Sequence, residues 1–294
     1  MRWNLVLLLA ATVAACQQSA APAAKEADGA TSNALPASRL AVPLSLSRLD
    51  CGKIHVKNFD KFFSDTPGLY SSEPRDITDS CYLIRHGDQL LLWDTGLSGS
   101  LKGQNFDAGD AVMSVDRTIA EQLAEMKLTP ADIDIVGISH HHDDHTGQLN
   151  AFPQARLVIG AGDFEKAQAK PPQGGAPTIT PWVKSGANVT KATADVDIFG
   201  DGSVIALHLP GHTPDHLALL VRLKGGPVLL SGDLYHSTEA RQKRGVPGFN
   251  TSREQTLASM DRFEALAKET GAKVVIQHEA GDIGKVPAVP QSEQ

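Results

Sequence analysis

Short apolar runs punctuated by turn-forming residues recur along the chain from residue 44 onward. Leu46–Val56, Cys81–Ile84, Leu90–Trp93, Ile135–Ile138 and Leu157–Ile159 come first, and Val196–Phe199, Val204–Leu209, Leu217–Val221, Val228–Leu230 and Val274–Ile276 come later. Runs of this length bounded by turn residues predict strands. Two stretches repeat their apolar residues at helical spacing instead: about 115–127, with Ile119, Leu123 and Met126 on one face, and about 253–269, with Leu257, Met260, Phe263 and Leu266. Ser252 and Gln255 have the spacing of a capping box at the start of the second, and Gly271 stops it. Strands interleaved with helices predict a mixed α/β layer architecture. The Pro- and Gly-rich segment Lys170–Gly186 reads as a surface excursion between two strand-rich halves. Phe59, Phe62, Phe63 and Tyr70 crowd one short stretch, which fits a lid over an apolar substrate as well as it fits core packing.

Before residue 44 the composition changes. Arg2 precedes an apolar run, Leu5–Ala15, too short to span a bilayer, which ends at Cys16. Ala, Ser, Pro and Gln then dominate. This predicts an export signal over residues 1–16 and a tether over 17–43, leaving 44–294 as the folded domain. Val13-Ala14-Ala15-Cys16 resembles a bacterial lipobox, whose Cys becomes lipid-modified, and Gln17 rather than Asp after that Cys resembles the pattern sorted to the outer membrane in Gram-negative cells. The expected location is the periplasm or outer membrane, with membrane contact only through the lipid anchor. An oxidising compartment permits a disulfide between Cys51 and Cys81 without requiring it. With 294 residues, 41% of them hydrophobic, the chain can bury a sizeable core. Its 27 basic and 34 acidic residues give a net charge of −7, and no block of Lys or Arg could track a phosphate backbone, so nucleic acid is not an expected partner.

The densest chemistry is Ser139-His140-His141-His142-Asp143-Asp144-His145-Thr146-Gly147, directly after the strand Ile135–Ile138. Alternation in extended chain sends His140 and His142 to one side, where they can ligate one metal together. Asp144 and His145 come next, where the chain must turn, and can reach a second ion, while His141 and Asp143 point away. A His-rich tract could also scavenge metal at the surface. Three later residues argue against that: His212, Asp233 and His278 each stand just past the C-terminal end of a predicted strand, where layered α/β folds collect reactive groups. Two divalent ions are the expected cofactors. Zinc suits these donors, although iron, cobalt or manganese could occupy them.

The spacing His140, His142, Asp144, His145 matches the signature of the metallo-β-lactamase superfamily, which the chain resembles from Leu46 to His278. The resemblance implies an αββα four-layer sandwich in the α/β class. It also implies that His140, His142 and His212 hold one metal, that Asp144, His145 and His278 hold the other, and that Asp233 bridges them. Asp94 in Leu92-Trp93-Asp94-Thr95-Gly96 looks like the family's supporting Asp, and His216 is a second candidate for orienting ligands. Within the superfamily the chain looks most like the N-acyl homoserine lactonases, on the ligand intervals, Leu49-Asp50-Cys51-Gly52 and Cys81-Tyr82-Leu83-Ile84-Arg85-His86-Gly87. It departs from them at Asp215, where Gly is common, and at His236, where a substrate-contacting Tyr is usual; Tyr235 stands one position earlier.

The implied reaction is opening of a lactone ring by a water that two dications make nucleophilic near neutral pH. Asp144 is the candidate to pass a proton to the leaving alkoxide, and Tyr235 or His236 the candidate to hydrogen-bond substrate. Histidine ligates as the neutral imidazole, so reversible loss of metal and activity is expected below about pH 6. Two other hydrolase readings use almost the same ligands, a class B3-like β-lactamase, which typically lacks an Asp at the place of Asp233, and a glyoxalase-II-like thioesterase; a non-enzymatic reading is a surface lipoprotein that stores metal without turnover.

Overall fold

A computed structural model describes residues 42–169, 179–185 and 188–294. The expected signal with Cys16, and the tether up to residue 41, lie outside the described residues.

The first strand, β1 (Leu44–Val56), pairs antiparallel along its length with β2 (Arg75–His86), so the predicted strand Cys81–Ile84 is the middle of a longer one. A bulge between Asp50 and Gly52 leaves Cys51 without a ladder partner. Cys51 is thereby set against Cys81 on the neighbouring strand, and the two form a buried disulfide with 5.8 Å between Cα atoms. β3 (Gln89–Trp93) continues the sheet antiparallel, and β6 (Ile135–Gly137), β7 (Arg156–Gly160) and β8 (Val189–Ala192) extend it in parallel. On the other edge lies a hairpin of β4 (Asn105–Asp107) and β5 (Ala111–Ser114), giving the order β4-β5-β1-β2-β3-β6-β7-β8. The hairpin and β8 are too short and polar for their patterns to stand out. The second sheet runs β13-β12-β11-β10-β9, from β9 (Val196–Asp197), β10 (Val204–His208), β11 (Leu217–Leu223), β12 (Gly226–Leu230) and β13 (Lys273–Val275).

Between the sheets, Leu46, Tyr82, Leu91 and Trp93 of the first meet Val204, Ala206, Leu217 and Leu230 of the second. The outer face of the first sheet is covered by α2 (Ile119–Glu125), α4 (Ala161–Ala169) and α5 (Thr180–Ser185), through Ile119, Leu123, Phe164 and Trp182. The outer face of the second is covered by α7 (Arg253–Thr270), which follows the short α6 (Thr238–Lys243) and sets Met260 and Phe263 on Leu207, Leu220 and Leu229. Helix, sheet, sheet, helix is the expected four-layer sandwich. Both anticipated helices form: Thr118 and Glu121 make a reciprocal capping box for α2, and for α7 Ser252 caps Gln255 N while Gly271 closes the end at φ +63°. The expected excursion is partly corrected. Residues 170–178, 186 and 187 lie outside the described residues, but Ile179 and Trp182 are buried in the core, Trp182 Nε1 donating to Ala155 O.

Two parallel pairs set up the site. β3 and β6 end together at Trp93 and Gly137, and β12 and β13 end together at Leu230 and Val275. The segments leaving these strands therefore emerge at one rim of the sandwich, although the sequence scatters them.

Candidate metal centre

At this rim Ser139 N donates to Asp94 Oδ1 at 2.7 Å, which fixes the chain direction as it leaves β6. His140 and His142 then project to one side, and α3 (Asp143–Thr146) turns Asp144 and His145 inward. Across the gap, His140 Nε2, His142 Nδ1 and His212 Nε2 lie 2.9 to 3.1 Å from one another. Asp233 faces this trio with Oδ2, 3.6 Å from His140 Nε2 and 3.4 Å from His212 Nε2. With Oδ1 it faces a second group, 3.2 Å from His145 Nε2 and 3.0 Å from His278 Nε2. Asp144 completes that group, its Oδ2 3.8 Å from His278 Nε2 and its Oδ1 3.9 Å from His145 Nε2. The donor atoms of His140, His142, His212 and Asp233, and those of Asp144, His145 and His278, each fall within 4.8 Å of one another.

Divalent cations fit these donors. His145 Nε2 and Asp233 Oδ1 are fully buried and close together, yet neither makes a hydrogen bond. Orphaned buried polar atoms are costly unless a missing partner satisfies them, and imidazole plus carboxylate is a borderline-metal donor set. The residues form a dinuclear site.

Behind the ligands, other groups hold the rings. Ser139 Oγ meets His140 Nδ1 at 3.0 Å, and Asn250 Oδ1 accepts from His212 Nδ1 at 2.9 Å. Asp94 Oδ2 accepts from His145 Nδ1 at 3.0 Å and from Gln277 Nε2 at 2.9 Å, and Thr78 O accepts from His278 Nδ1 at 2.7 Å. Such bonds fix which nitrogen faces the metal. His216 donates from Nδ1 to Leu209 O and accepts Asp233 N at Nε2, 3.0 Å away, so it orients Asp233. Burial pushes the His216 imidazole down to about 4, keeping it in that neutral form.

The metal-free ligands divide electrostatically. Burial pushes His140 and His212 well below the ordinary imidazole value and His142 to about 4, so all three are neutral and ready to ligate. Burial pulls His278 down too, but the Asp233 carboxylate, helped by Asp144, outweighs it and lifts His278 to about 9. His145 is raised by the same contest, with Asp233 and Asp94 winning against burial. Asp233, which burial alone would raise, is held well below the carboxylate range by His278 and His145.

A cavity of about 650 Å³ opens over the site, with His142, Asp144, Asp233, His236 and His278 on its floor. Its walls are mainly apolar, with Phe62 and Phe63 from α1 (Phe59–Phe63), Phe106 and Met113 from the β4–β5 hairpin, Leu97 and Phe249, interrupted by Ser98, Ser100, Asp143 and Asn150. The aromatic stretch is thus divided between roles, since Phe59 and Tyr70 pack in the core beneath. No lysine or arginine is among the described residues that line the cavity.

One expected contact is corrected. Tyr235 does not reach the cavity: its ring packs against Phe263, and its hydroxyl donates to Glu264 on α7 at 2.9 Å. His236 points the other way, lining the cavity, with Nε2 3.1 Å from Asp233 Oδ2 and its ring 4.3 Å from that of Phe63. Asn250, Gln277, Thr78 O and Asp79 escape sequence reasoning, because a lone amide, carbonyl or carboxylate in a loop or strand carries no periodic signal. Asp79, pushed up to about 8 by burial, accepts Leu97 N at Oδ2 while its Oδ1 has no partner.

Comparison with known proteins is consistent with this geometry. Residues 76–278 match the sequence profile of the metallo-beta-lactamase superfamily. N-acyl homoserine lactonase AttM of Azorhizobium caulinodans is 34% identical over 185 residues, which make up 57% of this chain and 66% of that enzyme's length. A solved quorum-quenching N-acyl homoserine lactone hydrolase superposes with a TM-score of 0.71 at 21% identity, covering 84% of this chain and 97% of its own. AidC, described as a dizinc quorum-quenching lactonase, superposes with a TM-score of 0.62 at 19% identity, covering 81% and 88%.

Proposed function

The chain belongs to the metallo-β-lactamase superfamily, and from that premise we propose that it is a dinuclear metal hydrolase that opens N-acyl homoserine lactones. One observation carries the substrate choice. The cavity joins a polar floor to apolar walls, with no lysine or arginine among its described lining residues. A small polar ring on an uncharged aliphatic chain matches that division. Carboxylates of a β-lactam or a glutathione thioester that reach past the ions would meet Asp143 and apolar walls, with no lysine or arginine among the described lining residues to pair them. The similarity to lactonase AttM supports the same reading.

His140, His142 and His212 would hold one ion and Asp144, His145 and His278 the other, with Asp233 between them. When bound, the pair supplies a nucleophilic water near neutral pH and polarises the carbonyl under attack. The chain's own groups do the rest. Asp144 lines the cavity and would carry a proton from the attacking water to the ring oxygen as its bond to the carbonyl carbon breaks. His236 contacts substrate from the floor while holding Asp233, and Phe62, Phe106, Met113 and Phe249 take the acyl chain and exclude water. Zinc is the proposed ion: the His and carboxylate donors suit it, and AidC carries a zinc pair. We also propose export and lipid anchoring through Cys16, a reading that the Cys51–Cys81 disulfide supports, since such bonds persist in oxidising compartments.

The test is acid release by the zinc-loaded protein on an acyl homoserine lactone, a simple lactone, a chromogenic cephalosporin and a glutathione thioester. Lactone turnover should dominate, disappear on chelation, and fall about 10²–10⁴-fold in Asp144→Asn. Faster cephalosporin or thioester turnover would overturn the substrate assignment, and no turnover of any of them would favour metal storage.

A further inference from the structure

His141 sits between two ligands and cannot face the ions, yet it is not idle. Its backbone N–H and its Nδ1 meet one oxygen of Asp163, at 3.0 and 2.5 Å. Asp163 belongs to the first turn of α4, which comes directly after β7, the parallel neighbour of β6, so its carboxylate rises beside the histidine tract. The other oxygen accepts Thr213 Oγ1 at 3.0 Å and Asp215 N at 2.9 Å, from the residues just past His212. This carboxylate is wholly buried, and every contact described for it runs to one of two loops: the loop of His140 and His142 and the loop of His212.

The bond is reciprocated. Asp215 Oδ2 accepts Gly162 N at 2.6 Å, and Asp215 Oδ1 meets His208 Nε2 at 2.7 Å. The β7–α4 turn and the His212 loop approach so closely that a Cβ on Gly160 would fall 2.1 Å from Asp215 O, and one on Gly162 would fall 2.8 Å from Pro214 Cβ. Asp163 and Asp215 thus clasp the β7–α4 turn to the His212 loop. The second group of ligands is held by other means, through Asp94, Gln277 and Thr78.

We propose that Asp163, clasped with Asp215, is a positioning residue for the three-histidine ion alone: it sets the spacing of His140 and His142 against His212. Three imidazole nitrogens converging on one point resist being held close without a cation, and a buried carboxylate bonded to both loops keeps them in register for one. Asn at position 163 has a single acceptor oxygen and cannot serve both loops. Removing groups behind ligands typically weakens metal binding about 10–100-fold.

The test uses cobalt(II) as probe on the full chain, its visible absorption distinguishing the three-histidine donor set from the carboxylate-containing one, with a competing chelator to give each affinity. Asp163→Asn should weaken the three-histidine ion about 10–100-fold and leave the other within about threefold. Gln277→Leu, which removes the amide beside His145 and Asp94 Oδ2, should do the reverse in smaller measure. Thr213→Val removes one bond and no charge, and should give a smaller loss in the direction of Asp163→Asn; it keeps the test intact if Asn is not tolerated. Equal weakening of both ions in Asp163→Asn, or an unchanged three-histidine affinity in Thr213→Val, would overturn the proposal. Affinity is read without substrate, so a negative result leaves the lactonase reading standing, and a failed lactonase assay leaves this one standing.

Discussion

Acidification should strip the two ions in a fixed order. In the metal-free protein His278 lies at about 9 and His145 is also raised, so at neutral pH both carry protons that an entering cation must displace. For His278 alone that costs about 2.7 kcal/mol at pH 7, two pH units below its own value. Since a raised imidazole is protonated below its folded value, the second ion's affinity should grow as pH rises and level off near pH 9. From about pH 8 to pH 6 it should fall at least ~100-fold, one decade per unit for each displaced proton. The three-histidine ion meets no such competition in that range, because burial keeps His140 and His212 low and His142 at about 4. The assay is chelator competition between about pH 8 and pH 5.5, with calorimetry in buffers of different ionisation enthalpy to count protons released near neutral pH. One or more protons should leave with the second ion and essentially none with the first. Parallel loss of the two ions, or metal uptake at pH 7 without proton release, would refute the reasoning. The general expectation of metal loss below about pH 6 thus becomes a sequence of two events, the earlier beginning well above that pH.

Three further outcomes are expected from the geometry. Met113→Trp on the cavity wall should lower kcat/KM for long-chain acyl lactones at least about tenfold while sparing short ones, measured as a chain-length series; a uniform change would separate this wall from the acyl chain. Replacing Cys51 and Cys81 together by Ala should cost about 3–4 kcal/mol in denaturant unfolding, from the loop that the sequence separation of 30 closes, and an unchanged midpoint would contradict it. Tyr235→Phe should leave steady-state kinetics within about twofold and cost about 1 kcal/mol of stability through the lost bond to Glu264, whereas a large kinetic defect would return Tyr235 to the site.

The metal ligands are legible because each stands where an apolar run stops, and strand ends are a position that sequence reveals. His140 to His145, His212, Asp233 and His278 all come after recognisable strands. The choice between Tyr235 and His236 is not legible, since consecutive residues of extended chain face opposite ways and the phase is set by the tight turn Gly232–Leu234 just before them. A one-residue bulge likewise decides that Cys51 meets Cys81, and a bulge leaves no mark on hydrophobic alternation. The β4–β5 hairpin escapes because a three-residue and a four-residue strand are shorter than any window in which alternation can be counted. Lys170–Gly186 misleads through its prolines and glycines, which outweigh Ile179 and Trp182, two large side chains that find the core.

The hairpin's place at the sheet margin bears on how such an enzyme could acquire new preferences. Phe106 and Met113 shape the room for a substrate, yet no ligand or ligand-holding group lies between Asn105 and Ser114. Exchanging that one edge element would change which molecules are admitted while the metal-ligating residues, carried by other strands, stayed as they are. Selectivity and reactivity are therefore separately mutable in this chain.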